Sequence, residues 1–333
     1  MPLHHTSPDD PGWSRRRAGR GFSYRGLDGS PITGADRDRI TRLAIPPAWT
    51  EVWICPDPDG HLQAVGTDEA GRRQYLYHPR WRDHRDAEKF RRVQEFGARL
   101  PQVRRRVTRD LTSPEPSLAH SCALALRLVD EGSFRIGSDV YAEEHGSFGL
   151  TTLERRHVRR HGDALRFRFV GKSGVEHDIT VTEPTCVRDL SRLRRRRGGD
   201  FDQLLAFKEQ GQWARLAPES VNGYLQEVAE MAVTIKDFRT WHATVLAAHL
   251  LAGPTAASGP GSRSVVRTVM EQVGDFLGNT PAVARASYVD PRVVDRYEGG
   301  RTIPRELARR ESRRDRSRVE RAVLELLNDP DGP

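Results

Sequence analysis

The pattern of hydrophobic and polar positions separates a short β-rich segment from a longer helical one. Three short runs near the start have strand character: Val52–Cys55, His61–Val65 and Gln74–Tyr77. Turn residues lie between them at Asp57–Gly60 and around Gly71. This pattern predicts a small β-rich N-terminal domain over residues 21–88. Residues 1–20 have no apolar periodicity, which predicts a flexible tail.

From about residue 85 the hydrophobic period becomes that of an α-helix. Such periodicity predicts helices at Arg85–Leu100, Leu118–Val129, Val221–Ala232, Trp241–Leu251, Val265–Leu277 and Arg305–Leu327. One hairpin interrupts them, since residues 165–170 alternate, residues 171–174 form a turn and residues 175–181 return. Residues 253–262 are rich in small residues and proline and predict a mobile loop. The fold class is therefore α+β, with a larger, mostly helical domain over residues 89–333.

A polar turn and a short helix follow the last strong apolar stripe. Gly278 predicts the end of one helix, and Thr280 can cap the next, with Pro281 at its first position. Tyr288 then lies on or just after that short helix, near Asn279. A phenol has a pKa near ~10 and needs an electropositive site to act as a nucleophile. The alternative is a half-buried tyrosine whose ring simply packs.

Arg135 and Arg239 are candidates for an anion clamp. Arg135 follows a helical segment and precedes Gly137, whose lack of a side chain would let the backbone approach a phosphate. Arg239 belongs to the sequence Lys236-x-x-Arg239 before a predicted helix. As a pair they suit the equatorial oxygens of a pentacoordinate phosphorane, although each alone is more often a solvated surface charge.

The only four lysines are Lys89, Lys172, Lys208 and Lys236, so nearly all positive charge is arginine. Arginine does not deprotonate in proteins, whereas lysine can give up a proton. Lys172 lies at the predicted hairpin tip between glycines, which favours a general acid for a leaving 5′-oxygen. The alternative is an ordinary polar turn residue. Asn279 can donate a hydrogen bond to a non-bridging oxygen or serve as part of a helix C-cap.

Overall charge and composition narrow the partners. The chain of 333 residues carries 54 Lys plus Arg against 46 Asp plus Glu, a net charge of +8. This balance favours a polyanion such as nucleic acid. No apolar stretch is long enough to span a bilayer, and no secretory signal is visible. Three widely spaced cysteines predict thiols in a reducing compartment, and no zinc-site spacing is present.

A second basic region lies beside the third predicted strand. Tyr75 and Tyr77 share one strand face, next to Gln74 and several arginines that include Arg85. Amide, phenol and guanidinium groups together suit a DNA groove and its phosphates. The alternative is a core face made of two tyrosines. The runs of arginine at 104–106 and 194–197 are more typical of solvated faces.

Together these segments resemble the type IB DNA topoisomerases, in particular the small poxvirus-like and bacterial branch. The resemblance covers about residues 21–300. It is carried by Arg135-Ile136-Gly137, Tyr141, Ser147-x-Gly149-x-x-Thr152-Leu153, His157-Val158, Phe169-x-Gly171-Lys172-x-Gly174, His177, Lys236-Asp237-Phe238-Arg239-Thr240-Trp241, Leu277-Gly278-Asn279-Thr280-Pro281 and Ser287-Tyr288. In the first domain it is carried by Ile45-Pro46-Pro47-Ala48-Trp49, Val52-Trp53-Ile54 and Gln74-Tyr75-x-Tyr77.

The resemblance implies a C-shaped clamp around duplex DNA that relaxes supercoils by transient cleavage of one strand. It implies Tyr288 as the nucleophile forming a 3′-phosphotyrosyl bond, Arg135 and Arg239 as transition-state stabilisers, and Lys172 as the general acid. It implies DNA contacts from Gln74, Tyr75, Tyr77, Arg85, Tyr141 and Ser220. It also implies a monomer that needs neither ATP nor metal and acts in the cytoplasm on the nucleoid.

Asn279 departs from the poxviral pattern, which has histidine there, whereas bacterial relatives resemble this chain. Asparagine donates the same hydrogen bond but cannot titrate, which excludes an acid–base role. Two other functions stay open on the sequence. A tyrosine recombinase shares the chemistry but usually has His-x-x-Arg where this chain has Lys236-x-x-Arg239. A non-catalytic DNA-binding protein would not need the complete catalytic set.

Overall fold

The computed structural model describes residues 2–113, 115–132, 134–137, 147–253, 263–308 and 313–329. The chain forms two compact units, residues 1–90 and residues 91–333. The division lies two residues beyond the predicted boundary between residues 88 and 89. Residues 254–262 lie outside the described residues, and they make up nearly all of the mobile loop predicted at 253–262.

The first unit contains an antiparallel five-stranded sheet with the order β2-β1-β3-β4-β5. Its elements are β1 (Trp13–Ala18), β2 (Gly21–Arg25), α1 (Gly34–Arg42), β3 (Thr50–Ile54), β4 (Leu62–Thr67) and β5 (Arg73–Tyr77). Its small core is formed by Ile40, Ile45, Val52, Ile54 and Ala64. The three strands predicted from the sequence are therefore confirmed as β3, β4 and β5.

The flexible tail predicted for residues 1–20 is wrong, because β1 lies inside the sheet between β2 and β3. The sequence did not predict this strand because most of its side chains are exposed and polar. Backbone hydrogen bonds hold it, and the Arg15 guanidinium lies 4.1 Å from the Phe22 ring centroid. A strand stabilised in this way needs no apolar alternation.

The second unit is mainly helical, and the unit boundary falls within its first helix. The helices are α2 (Pro79–Asp110), α3 (Leu118–Gly132), α4 (Pro184–Arg194), α5 (Pro218–Ala229), α6 (Ile235–Ala252), α7 (Arg263–Leu277), α8 (Pro281–Ser287), α9 (Pro291–Glu298) and α10 (Arg313–Asn328). The strands are β6 (Val158–His161), β7 (Ala164–Val170), β8 (Glu176–Val181), β9 (Ala206–Glu209) and β10 (Gln212–Arg215). They form one three-stranded sheet, β6-β7-β8, and one β9-β10 hairpin.

The core of the second unit is centred on large apolar side chains from α2, α3 and α6. Phe96, Phe238 and Trp241 are almost fully buried, and Phe96 meets Phe238 edge to face with ring centroids 4.8 Å apart. Gly97 allows α2 to lie directly on Trp241, since a Cβ there would stand 2.6 Å from the indole ring. This packing fixes α6, the helix that carries Arg239.

The predicted helices exist, but several have different bounds. The helix expected at residues 85–100 extends to Asp110 and continues through Pro101, because Leu100 and Val103 on either side are buried in the core. The last helix begins at Arg313 rather than Arg305. In the described part of the chain, no helix is both long and apolar enough to cross a bilayer.

Candidate active site and nucleic-acid interface

Arg239 is held rigidly by the start of α6. This helix begins at Ile235, earlier than the residue 241 predicted from apolar spacing, so Arg239 lies within the helix and not before it. A capping box between Thr234 and Asp237 starts the helix. Arg92 of α2 also contacts the Asp237 carboxylate at 3.1 Å. The capping pair was the sequence signal for the earlier start.

Arg135 and Arg239 converge on one carbonyl group at the end of α7. The Nη2 of Arg239 donates to the carbonyl oxygen of Leu277 at 2.6 Å, and the Nη2 of Arg135 approaches the same oxygen at 3.3 Å. Arg135 also donates to the carbonyl of Gly278 at 3.1 Å. The last carbonyls of a helix carry partial negative charge and attract cations. Two guanidiniums far apart in sequence therefore meet at one point.

Asn279 belongs to the same cluster. Its Oδ1 accepts a hydrogen bond from Arg135 at 3.1 Å, and its backbone NH donates to Gly274 at 2.9 Å. Its Nδ2 is buried and has no hydrogen-bond partner within the described residues. An unsatisfied buried donor is costly, so this amide is poised for an acceptor supplied from outside.

Tyr288 ends the short helix α8, as the sequence predicted. Thr280 caps that helix by accepting from the backbone NH of Val283, and Pro281 occupies its first turn. The Tyr288 ring is half-buried, and its centroid lies 5.6 Å from the Arg239 guanidinium carbon. The main chain around it is fixed from α6, because Thr244 donates to the Tyr288 carbonyl at 3.3 Å.

A cavity of about 240 Å³ opens beside the two arginines. Its lining includes Phe134, Arg135, Phe148, Phe169, Gly171, Glu176, His177, Asp178, Ile179, Arg239, Asp275, Phe276 and Leu277. Arg239 thus contacts the cavity on one side and lies against Tyr288 on the other. The lining thus combines four phenylalanine rings with guanidinium groups and carboxylates.

The electrostatics of the cluster favour an anion. The pKa of Arg239 is lowered to about 10, mainly by burial and also by the nearby charge of Arg135, while Tyr288 acts in the opposite direction. Two like charges forced together in a buried place are stabilised when a negative group enters between them.

Lys172 lies in a 3-10 turn at the tip of the β7–β8 hairpin and is exposed. The hairpin and its turn were correctly predicted. Lys172 forms no hydrogen bond or ion pair among the described residues, and it follows Gly171, which lines the cavity. The structure therefore brings Arg135, Arg239, Asn279 and Tyr288 together and leaves the lysine at the tip beside them.

Gly137 serves a packing role that the sequence did not reveal. Its φ is +98°, and a Cβ there would lie 3.0 Å from the backbone of Gly149. The close approach is thus between two backbone segments. Leu150 and Thr151 then donate backbone hydrogen bonds to Arg135 and Ile136, at 2.8 Å in each case. These contacts fix the backbone that carries the Arg135 side chain.

In the first unit, β5 presents a surface of exposed aromatic and basic groups. Tyr75 and Tyr77 are 48% and 39% exposed, and their rings stack with centroids 6.2 Å apart. A core face of two tyrosines is therefore excluded. Gln74 is half-buried and donates to Asp68 at 2.9 Å. Arg85 is exposed on α2, where it pairs with Glu88 at 3.1 Å.

The other predicted DNA contacts have different outcomes. Ser220 lies in the first turn of α5 and is half-buried. Tyr141 lies outside the described residues. Within the run at 194–197, Arg196 is no solvated charge, because it is 7% exposed and donates to the carbonyl oxygens of Leu193, Phe201, Gln203 and Leu204.

Comparisons with known proteins match both units of the chain to DNA topoisomerases. Residues 78–302 match the family model described as the catalytic core of eukaryotic DNA topoisomerase I, and residues 21–68 match the N-terminal domain of bacterial DNA topoisomerase IB. DNA topoisomerase 1B of Acanthamoeba polyphaga mimivirus is 30% identical over 291 residues, which cover 85% of this chain and 87% of that protein. DNA topoisomerase 1B of vaccinia virus (strain Copenhagen) is 21% identical over 233 residues, which cover 69% and 71% of the two chains.

The two family models match separate parts of the chain, and the first one alone covers more than half of it. The similarity to the mimivirus protein extends across both units. The recombinase and the non-catalytic alternatives find no support in these matches. The chain belongs to the type IB DNA topoisomerases, isomerases whose substrate is DNA.

Proposed function

We propose that this enzyme relaxes supercoiled duplex DNA by transient cleavage of one strand through Tyr288. The single observation that carries the proposal is the convergence of Arg135, Arg239 and Asn279 at the Leu277 carbonyl, with the Tyr288 ring 5.6 Å from Arg239. A phosphodiester that replaces the carbonyl as the hydrogen-bond acceptor would lie among two guanidiniums, one amide donor and a phenol.

In the proposed step, Tyr288 loses its phenol proton to water, and its oxygen forms a bond to phosphorus while the bond from phosphorus to the 5′-oxygen breaks. Arg135 and Arg239 stabilise the negative charge that develops on the non-bridging oxygens. The Nδ2 of Asn279 donates a hydrogen bond to one of these non-bridging oxygens. Lys172 transfers a proton to the departing 5′-oxygen, which leaves as a hydroxyl group.

The product is a 3′-phosphotyrosyl bond and a free 5′-hydroxyl. The cut strand rotates about the intact one, and attack of the 5′-hydroxyl on the phosphotyrosine restores the original bond. The number and type of bonds are conserved, so the cycle needs no ATP, and we propose that it also needs no metal. The negative charge of the phosphate is met by protein groups throughout.

For the DNA interface, we propose that Tyr75 and Tyr77 contact the major groove with Gln74, and that Arg85 and Ser220 contact phosphates. The exposed, stacked tyrosines on β5 support this assignment. The contact assigned to Tyr141 rests on the resemblance alone. The clamp around DNA, the monomeric state and action on the nucleoid also stay predictions.

The experiment that tests the proposal is relaxation of positively and negatively supercoiled plasmid in EDTA without ATP, together with a denaturing gel that detects the covalent adduct. Wild-type enzyme should relax both plasmids and form the adduct. Tyr288→Phe should bind DNA but form no adduct and relax neither plasmid. An adduct of normal yield from Tyr288→Phe would show that another residue is the nucleophile.

A further inference from the structure

An aromatic stack links the cavity to the hairpin that carries Lys172. Phe134 and Phe169 lie nearly parallel with ring centroids 6.2 Å apart, and Phe169 stacks on His177 with centroids 4.9 Å apart. His177 is the outermost ring of the three, and it lines the cavity with Arg135 and Arg239. The position of its imidazole is therefore set by packing from one side.

The other side of the imidazole meets the backbone next to Lys172. A Cβ on Gly171 would stand 2.5 Å from the Nε2 of His177 and 2.6 Å from its Cδ2, so the ring occupies the space that a side chain would need. The turn at the tip of the hairpin is itself closed, because the Gly171 NH donates to the Val175 carbonyl at 2.7 Å. Any shift of the ring therefore allows the backbone before Lys172 to shift too.

The same ring also approaches the turn that carries Asn279. Gly278 has a φ of +60°, and a Cβ on it would lie 3.5 Å from the Cε1 of His177 and 3.9 Å from Val175. His177 thus lies between the hairpin tip and the Gly278 turn. Its Nε2–Cδ2 edge lies against the backbone of Gly171, next to the proposed acid, and its Cε1 lies at van der Waals distance from the point where a Cβ of Gly278 would stand, next to the proposed amide donor.

An uncharged His177 ring is compatible with a position beside Arg135 and Arg239. Burial lowers the pKa of His177, and the charges of Arg135 and Arg239 lower it further. At neutral pH the imidazole is uncharged, so it does not repel the two guanidiniums. A neutral planar ring can fill the gap between them and the hairpin without opposing the entry of the lysine ammonium.

We infer that His177 is a positioning residue, a spacer that sets the distance between the Lys172 hairpin and the Asn279 turn so that the ammonium reaches the leaving oxygen. This inference rests on the proposed function, since it needs Lys172 as the proton donor. It predicts that loss of the ring impairs proton delivery specifically and leaves charge stabilisation by the arginines intact.

The test uses two DNA substrates in single-turnover cleavage, one with the ordinary 5′-bridging oxygen and one with sulfur in its place. A sulfur leaving group needs no proton. His177→Ala should cleave ordinary DNA roughly 10- to 100-fold more slowly than wild type, because small misplacements of a catalytic group have effects of this size. On the sulfur substrate its rate should return to within a few-fold of wild type, as should that of Lys172→Ala.

His161→Ala is the matched control, since His161 is an exposed histidine on β6 of the same sheet. It should cleave both substrates at the wild-type rate. Gly171→Ala approaches the same contact from the other side and should also be slow on oxygen and fast on sulfur. In the double variant, the added methyl group fills the space of the missing ring, so Gly171→Ala should slow His177→Ala by less than it slows wild type.

The outcomes separate the spacer role of His177 from the acid role of Lys172. If sulfur rescues Lys172→Ala but not His177→Ala, the inference is overturned and the proposed acid stands. If Lys172→Ala itself is not rescued, the proposed acid fails and the inference fails with it. Wild-type cleavage of ordinary DNA by His177→Ala also overturns the inference. Equally slow cleavage of both substrates by both His177→Ala and Gly171→Ala would mean that the ring supports the site as a whole.

Discussion

Arg104 and Arg316 lie inside the second unit beside Asp130 and Glu320, whereas Arg135 and Arg239 turn towards backbone carbonyls at the end of α7. Arg104 contacts Asp130 at 2.8 Å and Glu320 at 2.6 Å, and Arg316 contacts Asp130 at 2.7 Å. Both carboxylates are almost completely buried. One pair of arginines thus has full negative charges as partners, and the other has dipoles.

The pKa values of Arg104 and Arg239 shift in opposite directions. Burial alone would lower the pKa of Arg104, but hydrogen bonds to Glu320 and Asp130 raise it above the usual value. The pKa of Arg239 is lowered to about 10 by burial, the larger cause, together with the neighbouring charge of Arg135. A buried guanidinium matched with carboxylates stabilises the fold. One that is held by carbonyls beside a second guanidinium retains the capacity to bind an anion.

The comparison is first tested by removing the Asp130 carboxylate. It lies in what we call the matched cluster, in which charges are paired: Arg104, Asp130, His242, Arg316 and Glu320. Asp130→Ala leaves Arg104, Arg316 and His242 facing each other, and breaking a buried ion pair costs about 3–5 kcal/mol of unfolding free energy. Denaturant unfolding measures the loss. Glu271→Ala, which removes an exposed partner of Arg267, should change stability little. A loss from Asp130→Ala as small as that of the control would mean that the cluster is not stabilising.

The second test removes a charge from the site. Arg239→Ala should slow single-turnover DNA cleavage by about 100- to 1,000-fold, because one fixed donor to the transition state is lost. DNA binding should stay within a few-fold, and the loss of stability should be smaller than that of Asp130→Ala. Arg267→Ala, an exposed arginine on α7, is the matched control and should cleave normally. Near-normal cleavage by Arg239→Ala would contradict its assignment.

A third test concerns the neutral member of the site. Asn279→Ala removes the buried Nδ2 donor, and a hydrogen bond to a charged group contributes about 1.5–3 kcal/mol, so cleavage should slow by roughly 10- to 150-fold. Asn279→Asp keeps the size and the contact with Arg135 but adds a negative charge next to the phosphate. It should therefore be slower than Asn279→Ala. The reverse order would mean that Asn279 acts only through Arg135.

The smallest expected effect is a dependence of stability on pH in the matched cluster. Burial lowers the pKa of His242, Asp130 opposes this effect and Arg316 adds to it. The unfolded chain takes up a proton on this histidine below about pH 6.5, whereas the folded chain does not, so acid favours unfolding. As the pH falls from about 6.5 to the pKa of His242 in the folded protein, the unfolding free energy of wild type should decrease relative to that of His242→Gln. The decrease should be up to about 1.4 kcal/mol per pH unit. Parallel stability curves for the two proteins would contradict this assignment.

Local patterns in the sequence predicted much of the second unit because helix ends, caps and hairpins depend on interactions between residues that are close in sequence. The stripe that ends at Leu277, the cap at Thr280 and the hairpin around Lys172 are each set by neighbouring residues, and the structure has all three. The start of α6 was misplaced because apolar spacing begins later than the Thr234–Asp237 capping box. In the first unit, β1 was missed because its stability comes from pairing with β2 and β3 rather than from apolar alternation.

The site itself was only partly visible in the sequence. Its residue types were found, but their meeting point is a backbone carbonyl, which every residue has and no motif marks. The packing role of Gly137 depends on its contact with Gly149, and the role proposed for His177 depends on its contact with Gly171 across the hairpin. No local motif marks either contact. Likewise, no local feature distinguishes buried Arg196 from its exposed neighbours in a run of four arginines.

The carbonyl of Leu277 also has a consequence for which anions enter the site. The Nη2 groups of Arg135 and Arg239 that bind this oxygen have to give it up before these same groups can bind an anion. A free phosphate or sulfate ion can offset that exchange only with its own few contacts. A phosphate within a duplex is delivered by contacts along the whole DNA, so the same exchange is a small part of the total. If the site binds DNA as proposed, the end of α7 would therefore favour a phosphate within a duplex over a dissolved anion.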